Sequence, residues 1–422
     1  MEINEVLIEE LKLNPSLIEE YGLGNNREVL LEIVQYDGSA FKYASEELRS
    51  DRDFVLKIVY AENNPTDFDN FKYDCSSFDY IYHTLKGDRK FVIEVIKKNP
   101  YAFKHVYNYL KSDKKIVTEA VKWNESLFEY ADNDLKNDKE FVLELVKQNG
   151  SMLGFIINKM KCNKEIVLEA VKNDGRSFAF ADEILRNDRD FVIELVKVSG
   201  DSLYGASENL KCDREVVLEA VKQDGFAFRY AENILKYDRE FVLEVVKING
   251  LSLSGACEFL KSDKEIVFEA IKQNGSALKY ASEEFKNEYE IVMTAVKESG
   301  RALMYVSDDF RNNKDIVLEA AKNYGSSFEF ANNELKKDRL FVLEVVKNNG
   351  ISFFYLDEDL KKDEEIAKEA YLKISSTISK IFYEELGKNK IFMNESTLKR
   401  CFSYLYDFSH GALHSMNVII EY

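Results

Sequence analysis

The sequence predicts an all-α fold: an α-solenoid of about fifteen 25-residue helical-hairpin repeats in a superhelical stack. Three observations predict it. The stretch "DKEFVLELVKQNG" (Asp138 to Gly150) returns as "DREFVLEVVKING" (Asp238 to Gly250) and as "DRLFVLEVVKNNG" (Asp338 to Gly350). Within each copy the apolar residues fall at helical spacing. Proline occurs three times in 422 residues, so glycine at regular intervals is the punctuation.

Taken in chain order, residues 1–25 form a truncated repeat, with Glu9, Lys12 and Asn14 spaced like Glu144, Lys147 and Asn149, and are expected to cap the stack. Residues 26–362 are the solenoid proper. Repeats begin at Asn26 and Asp51, and the second carries a twelve-residue insertion at 61–72. From Asp88 to Lys362, eleven repeats follow without a gap. Residues 363–422 are expected to hold a degenerate repeat and C-terminal cap helices, the latter near 396–408.

With each repeat numbered from 1, position 1 is Asp or Asn in all eleven except Glu288, as an N-cap requires. Positions 4, 5, 8 and 9 are apolar or Ala and make a buried stripe. Glycine at position 13, from Gly150 through Gly350, suits the left-handed residue that closes a helix. A second, shorter helix is expected beyond it, with apolar positions 16, 18, 19 and 23 and a Lys or Arg at 24. Helices this short are unstable alone, so each repeat must bury its face on its neighbours. A double period of 50 is superposed. Repeats with Phe at position 4 and Leu or Val at 8 (Phe141, Leu145) alternate with repeats carrying Ile or Val and Ala (Ile166, Ala170), which is the interdigitation of large and small that close packing demands.

Repeats such as "DREVVLEAVKQDGFAFRYAENILKYD" (Asp213 to Asp238) resemble a family known as domain of unknown function 4116. The resemblance covers residues 26–362. It implies helical repeats and carries no activity.

Composition bounds the chemistry. A formal charge of -18 repels phosphate backbones and anionic lipid unless basic residues cluster, and no such cluster stands out. No nucleic acid or membrane is expected as a partner. The five cysteines, an odd number with no CxxC pair, suggest neither disulfides nor a zinc site. The acidic N-terminus does not resemble a secretion signal, and a cytoplasmic location is expected. His410 and His414 in "SHGALHSM" have the i, i+4 spacing of a zinc pair, yet lack the glutamate and third ligand that would complete one. No catalytic, cofactor or metal residues are assigned, and an enzyme is not expected.

The candidate partner-binding residues lie where the repeat does not repeat. Positions 14 and 17 hold Tyr204, Phe226, Arg229, Arg301, Met304 and Phe354, side-chain types that protein interfaces favour. Asp67, Phe68 and Phe71 in the insertion join them as residues of a loop long enough to reach a partner. The Glu at position 7 and Lys at position 10 are read as ordinary surface pairs. The expectation is a non-enzymatic solenoid that binds another protein along an extended face. The alternative is an acidic inhibitor occupying the nucleic-acid channel of a basic nuclease or a similar protein.

Overall fold

In the computed structural model, residues 5–63 and 75–388 are described, and among them there is helix and no β-strand. The fold is an all-α repeat solenoid. It divides into two compact units, at Ser207 and Glu208.

One repeat of the second unit shows the pattern. The Asp213 carboxylate accepts from the backbone N–H groups of Glu215 and Val216 and starts the ten-residue helix Arg214–Gln223. That helix buries Val216, Val217, Ala220 and Val221, the stripe at positions 4, 5, 8 and 9. Asp224, in extended conformation, ends it and at once starts a six-residue 3₁₀ helix, Gly225–Tyr230, by accepting from the Phe226 N–H at 2.9 Å. Ala231 is extended, and a four-residue α-helix, Asn233–Lys236, completes the repeat.

The second half is therefore two short segments rather than the single helix expected. The extended break has a purpose. It frees the N–H of position 20 to reach the position-24 carbonyl of the preceding repeat: Asp132 to Lys111 at 3.0 Å in the first unit, Glu232 to Lys211 at 3.1 Å and Asn332 to Arg311 at 2.9 Å in the second. Each of these repeats is thus tied to its predecessor by a backbone hydrogen bond that a continuous helix would consume internally. The core of this half is positions 15, 16, 19 and 23. Position 18, expected inside, is half-buried or exposed wherever it carries a side chain, as Phe180 and Tyr230 are, and buried only as Gly205 and Gly255.

The glycine at position 13 also has a different cause from the one expected. Among the described residues only Gly22 has a positive φ, of 66°. Gly225 opens the 3₁₀ helix in ordinary right-handed conformation, so no left-handed constraint acts there. What excludes a side chain is the next repeat. A Cβ on Gly250 would lie 2.2 Å from the Ala270 carbonyl oxygen, and one on Gly275 would lie 2.2 Å from that of Ala295. Before a repeat with a bulky position 8 the obstacle is instead a position-12 side chain. Asn249 stands 2.3 Å from a Cβ on Gly225, and Ser199 stands 2.2 Å from one on Gly175. Alternation of large and small cores is thus an alternation of two kinds of junction.

Both ends of the repeat run depart from this pattern. Glu62, at position 12 of the interrupted repeat, accepts from the Ser77 N–H at 3.4 Å and from both Ser76 and Ser77 hydroxyls. A longer carboxylate thereby keeps the capping role across the insertion. At the other end Ile374 and Ser375 replace the capping residue and the glycine. With nothing to stop it, the helix runs for 25 residues, Glu364–Lys388. The expected cap helices near 396–408 lie outside the described residues.

The two junctions predict different tolerances. Gly250→Ala, which drives a methyl into a main-chain carbonyl, should cost about 1–3 kcal/mol in urea unfolding. Gly225→Ala should cost about 1 kcal/mol, because only the Asn249 cap must move. In an Asn249→Ala background that second penalty should vanish. Equal penalties at Gly225 and Gly250, unaffected by Asn249→Ala, would refute the two-junction account.

Candidate interaction face

The first helices carry two ladders of charge. At position 1 the cap aspartate uses its second oxygen to pair with the position-2 cation of the preceding repeat. Lys114 meets Asp138 at 2.6 Å and Lys164 meets Asp188 at 2.6 Å in the first unit; Arg239 meets Asp263 at 2.8 Å and Lys314 meets Asp338 at 2.6 Å in the second. The same cation often lies over the position-4 ring of the next repeat, as Lys164 does over Phe191 at 4.9 Å and Arg214 over Phe241 at 4.9 Å. Asp138, Asp188, Asp263 and Asp338 are all held below the usual carboxylate range, first by the cation and then by the backbone N–H groups that the cap satisfies. The second ladder is the expected one: Lys172 with Glu169 at 2.6 Å, Lys222 with Glu219 at 2.5 Å and Lys272 with Glu269 at 3.0 Å.

The second half of the repeat is less polar. Tyr204 in the first unit is 48% exposed, and Met304 in the second is 41% exposed. Phe226 is half-buried and packs edge-on against Tyr280 with ring centroids 6.0 Å apart, although a whole repeat lies between theirs. Arg229, exposed, lies 5.1 Å over Phe226 and 5.4 Å over Tyr230, and its Nε donates to the Phe226 carbonyl at 2.9 Å. Gly255 makes the room for this cluster, since a Cβ there would lie 2.7 Å from the Arg229 nitrogen. Arg301 donates to the Tyr324 hydroxyl at 2.9 Å and pulls that phenol below its ordinary value. Phe354 is half-buried, edge-on to Phe353.

The structure thus joins Phe226 and Arg229 in one cluster, leaves Tyr204 and Met304 as separate exposed side chains, and ties Arg301 to the end of the next first helix. Asp67, Phe68 and Phe71, like His410 and His414, lie outside the described residues. Further apolar side chains on this face were missed from sequence. Phe155 and Phe180 at position 18 are 45% and 49% exposed, and Ile184, Ile234 and Phe259 at position 22 are 74%, 71% and 81% exposed. Their signal was available at position 22, where large apolar residues alternate with Asp, Glu and Asn.

Among the described residues no group of three or more His, Cys, Asp or Glu is placed to hold a metal. None of the described helices is long and apolar enough to cross a membrane. The family described as domain of unknown function (DUF4116) matches residues 26–71, 68–111, 113–161, 163–207, 188–236, 238–286, 289–336 and 338–387, each match spanning about two of the 25-residue repeats. No curated protein matches the chain.

The paired cap aspartates make stability acid-sensitive. Their folded-state affinity for protons is lowered, so the unfolded chain binds more protons between the two values, and stability rises with pH there. Their contribution should be complete above about pH 5 and fall away progressively below about pH 4. Asp263→Asn with Asp338→Asn keeps the cap, as Asn163 and Asn313 do naturally. The double variant should show a shallower loss of urea midpoint between neutral pH and pH 3. An unchanged slope would mean that these pairs contribute nothing.

Proposed function

We propose, for a chain that belongs to the DUF4116 repeat family, a non-enzymatic role: a solenoid that binds another protein through the exposed side chains of its second-half segments. The observation that carries this reading is the concentration of large exposed side chains at positions 17, 18 and 22, with Tyr204, Phe155, Phe180 and Ile184 in the first unit and Met304, Ile234 and Phe259 in the second. Exposed apolar groups of this size and number mark interaction surfaces. Repeat arrays offer such surfaces one repeat at a time. Cys162 and Cys212 are exposed thiols, which suits a reducing compartment, and we place the protein in the cytoplasm.

The acidic-inhibitor reading stands second. The net charge of -18 favours it. Against it, the cap aspartates are spent on cations of the preceding repeat, so an unbroken negative stripe must be found elsewhere. A salt series separates the two readings, because charge mimicry fades as salt rises and apolar contact does not.

Replacing Tyr204, Phe226, Arg229 and Met304 together with Ala should weaken capture of a bound protein partner by several kcal/mol, as loss of a hot-spot cluster does, while circular dichroism remains that of the parent. Replacing Lys172, Lys222 and Lys272 with Gln should change affinity little, since each is solvated and paired with a glutamate. The reverse pattern would move the interface to the first helices and defeat the proposal.

A further inference from the structure

One stretch of the first unit reverses the charge of the molecule. From Lys86 to Lys115 there are nine Lys and Arg against three Asp and Glu, contrary to the expectation that no basic cluster stands out. Three of its lysines lie on or beside the second-half face: Lys86 and Lys111 at position 24 of successive repeats, and Lys104 at position 17. Exposed tyrosines accompany them. Tyr82, Tyr107 and Tyr109 are 38%, 37% and 61% exposed, and the rings of Tyr107 and Tyr109 are stacked at 6.0 Å with 22° between their planes. Lys86 lies 5.6 Å from the Tyr107 ring centre and ties the two repeats together.

The charges here are unequally satisfied. Asp79 accepts from Lys86 at 3.0 Å and lies 2.7 Å from the His105 Nδ1. Lys104 rests on the rings of Tyr101 and Tyr130, at 5.3 and 5.5 Å, and among the described residues no carboxylate pairs with it or with Lys111. Lys111 is half-buried, and its ammonium is destabilised first by that burial and next by the positive charge of Lys86, with Asp79 offsetting only part. A cation held this way gains when an external carboxylate arrives.

We infer that this patch, Lys104 and Lys111 set among Tyr82, Tyr107 and Tyr109, receives a short acidic segment of a protein partner, with carboxylates on the lysines and apolar side chains on the tyrosines. The inference rests on the protein-binding reading above and adds where the partner must carry acid. Confinement of the patch decides between a peptide and a nucleic acid. The position-24 cation recurs on both sides as Arg49 and Lys136, and Lys42 stands at position 17 one repeat before, but acids flank the patch: exposed Glu46 and Glu47 at positions 21 and 22 one repeat before it, and exposed Glu129 and Asp134 at positions 17 and 22 one repeat after it. A nucleic-acid strand bears a charge at every nucleotide and would run onto those acids; a peptide can end its acidic run where the lysines end.

Fluorescence anisotropy on the full-length chain tests this with three labelled probes: a peptide alternating Glu with Leu and Tyr, the same peptide with Gln for Glu, and an oligo(dT) strand. The Glu peptide should bind, and its Gln counterpart and oligo(dT) should each bind about tenfold more weakly or not at all. Lys104→Gln with Lys111→Gln should weaken the Glu peptide about tenfold with no loss of melting temperature, since the change relieves a half-buried cation. Lys111→Gln alone should give an intermediate loss, and Lys159→Gln, on another repeat of the unit, should give none. Failure of the Glu peptide to bind, equal binding of the Gln peptide, tighter binding of oligo(dT), or indifference to the lysine changes each overturns the assignment. A protein partner held by Tyr204 and Met304 but unaffected by the Lys104 and Lys111 changes would overturn this inference alone and leave the broader reading intact.

Discussion

The approach of each repeat's position-13 glycine to the repeat that follows sets the terms for much of this structure. A main-chain carbonyl or a position-12 side chain stands between 2.2 and 2.7 Å from where a Cβ would be at Gly150, Gly175, Gly225, Gly250, Gly275, Gly300, Gly325 and Gly350. With the carbonyl, the oxygen occupies the space a Cβ would take, a close approach made possible by the missing side chain. Alanine at position 8 of the following repeat goes with this arrangement in Ala170, Ala270, Ala295, Ala320 and Ala370. Where position 8 is bulky, the position-12 side chain faces the glycine instead. Glu125 shows that the second junction can even admit a side chain, since its carboxylate there accepts from Asn149 at 2.5 Å and Ser151 at 2.8 Å. Pro100 at the same position shows that glycine is not required at every junction.

What the sequence disclosed and what it concealed divide along the range of the forces involved. The N-cap at position 1 and the stripe at 4, 5, 8 and 9 are local properties of one helix, and both were readable. The glycine was legible as a constraint and misread as to its kind, because a helix-closing glycine and a glycine yielding room to a neighbour occupy the same place in a string of letters. The second half was misread for a related reason. Buried positions 16, 19 and 23 are compatible with one helix, and only the caps at positions 12 and 20 reveal that Asp224–Tyr230 and Glu232–Lys236 are separate. Of the candidate site, the exposure of Tyr204, Arg229, Arg301 and Met304 was legible because variation from repeat to repeat excludes a shared core role. The aromatic residues at position 18 were not, since a recurring Phe or Tyr reads as core.

Electrostatics shows the same division. A net charge of -18 describes the molecule from a distance and says little about any repeat. Most of the cap aspartates are consumed at junctions, where each satisfies backbone N–H groups with one oxygen and a neighbour's cation with the other. Glu288 keeps one half of this double use: it pairs with Lys264 while its helix starts without a side-chain cap. Local excess can then run opposite to the total, as it does between Lys86 and Lys115.

The repeat thereby separates two demands that compact folds usually impose on the same residues. Positions 1, 2, 4, 5, 8, 9, 12 and 13 hold one repeat to the next, and a change at any of them is felt at a junction. Positions 17 and 22 project from the short second segments, whose own tie to the neighbour is a backbone hydrogen bond indifferent to side chain. A large apolar or charged residue can enter there without altering the spacing of the stack. Ile234 at position 22 of one repeat and Phe259 in the next, against Glu284 and Asp309 in those that follow, are the consequence: surface chemistry that changes repeat by repeat on a frame that does not. Specificity for a partner can accordingly be written one repeat at a time, and the regularity of the frame gives no hint of what has been written.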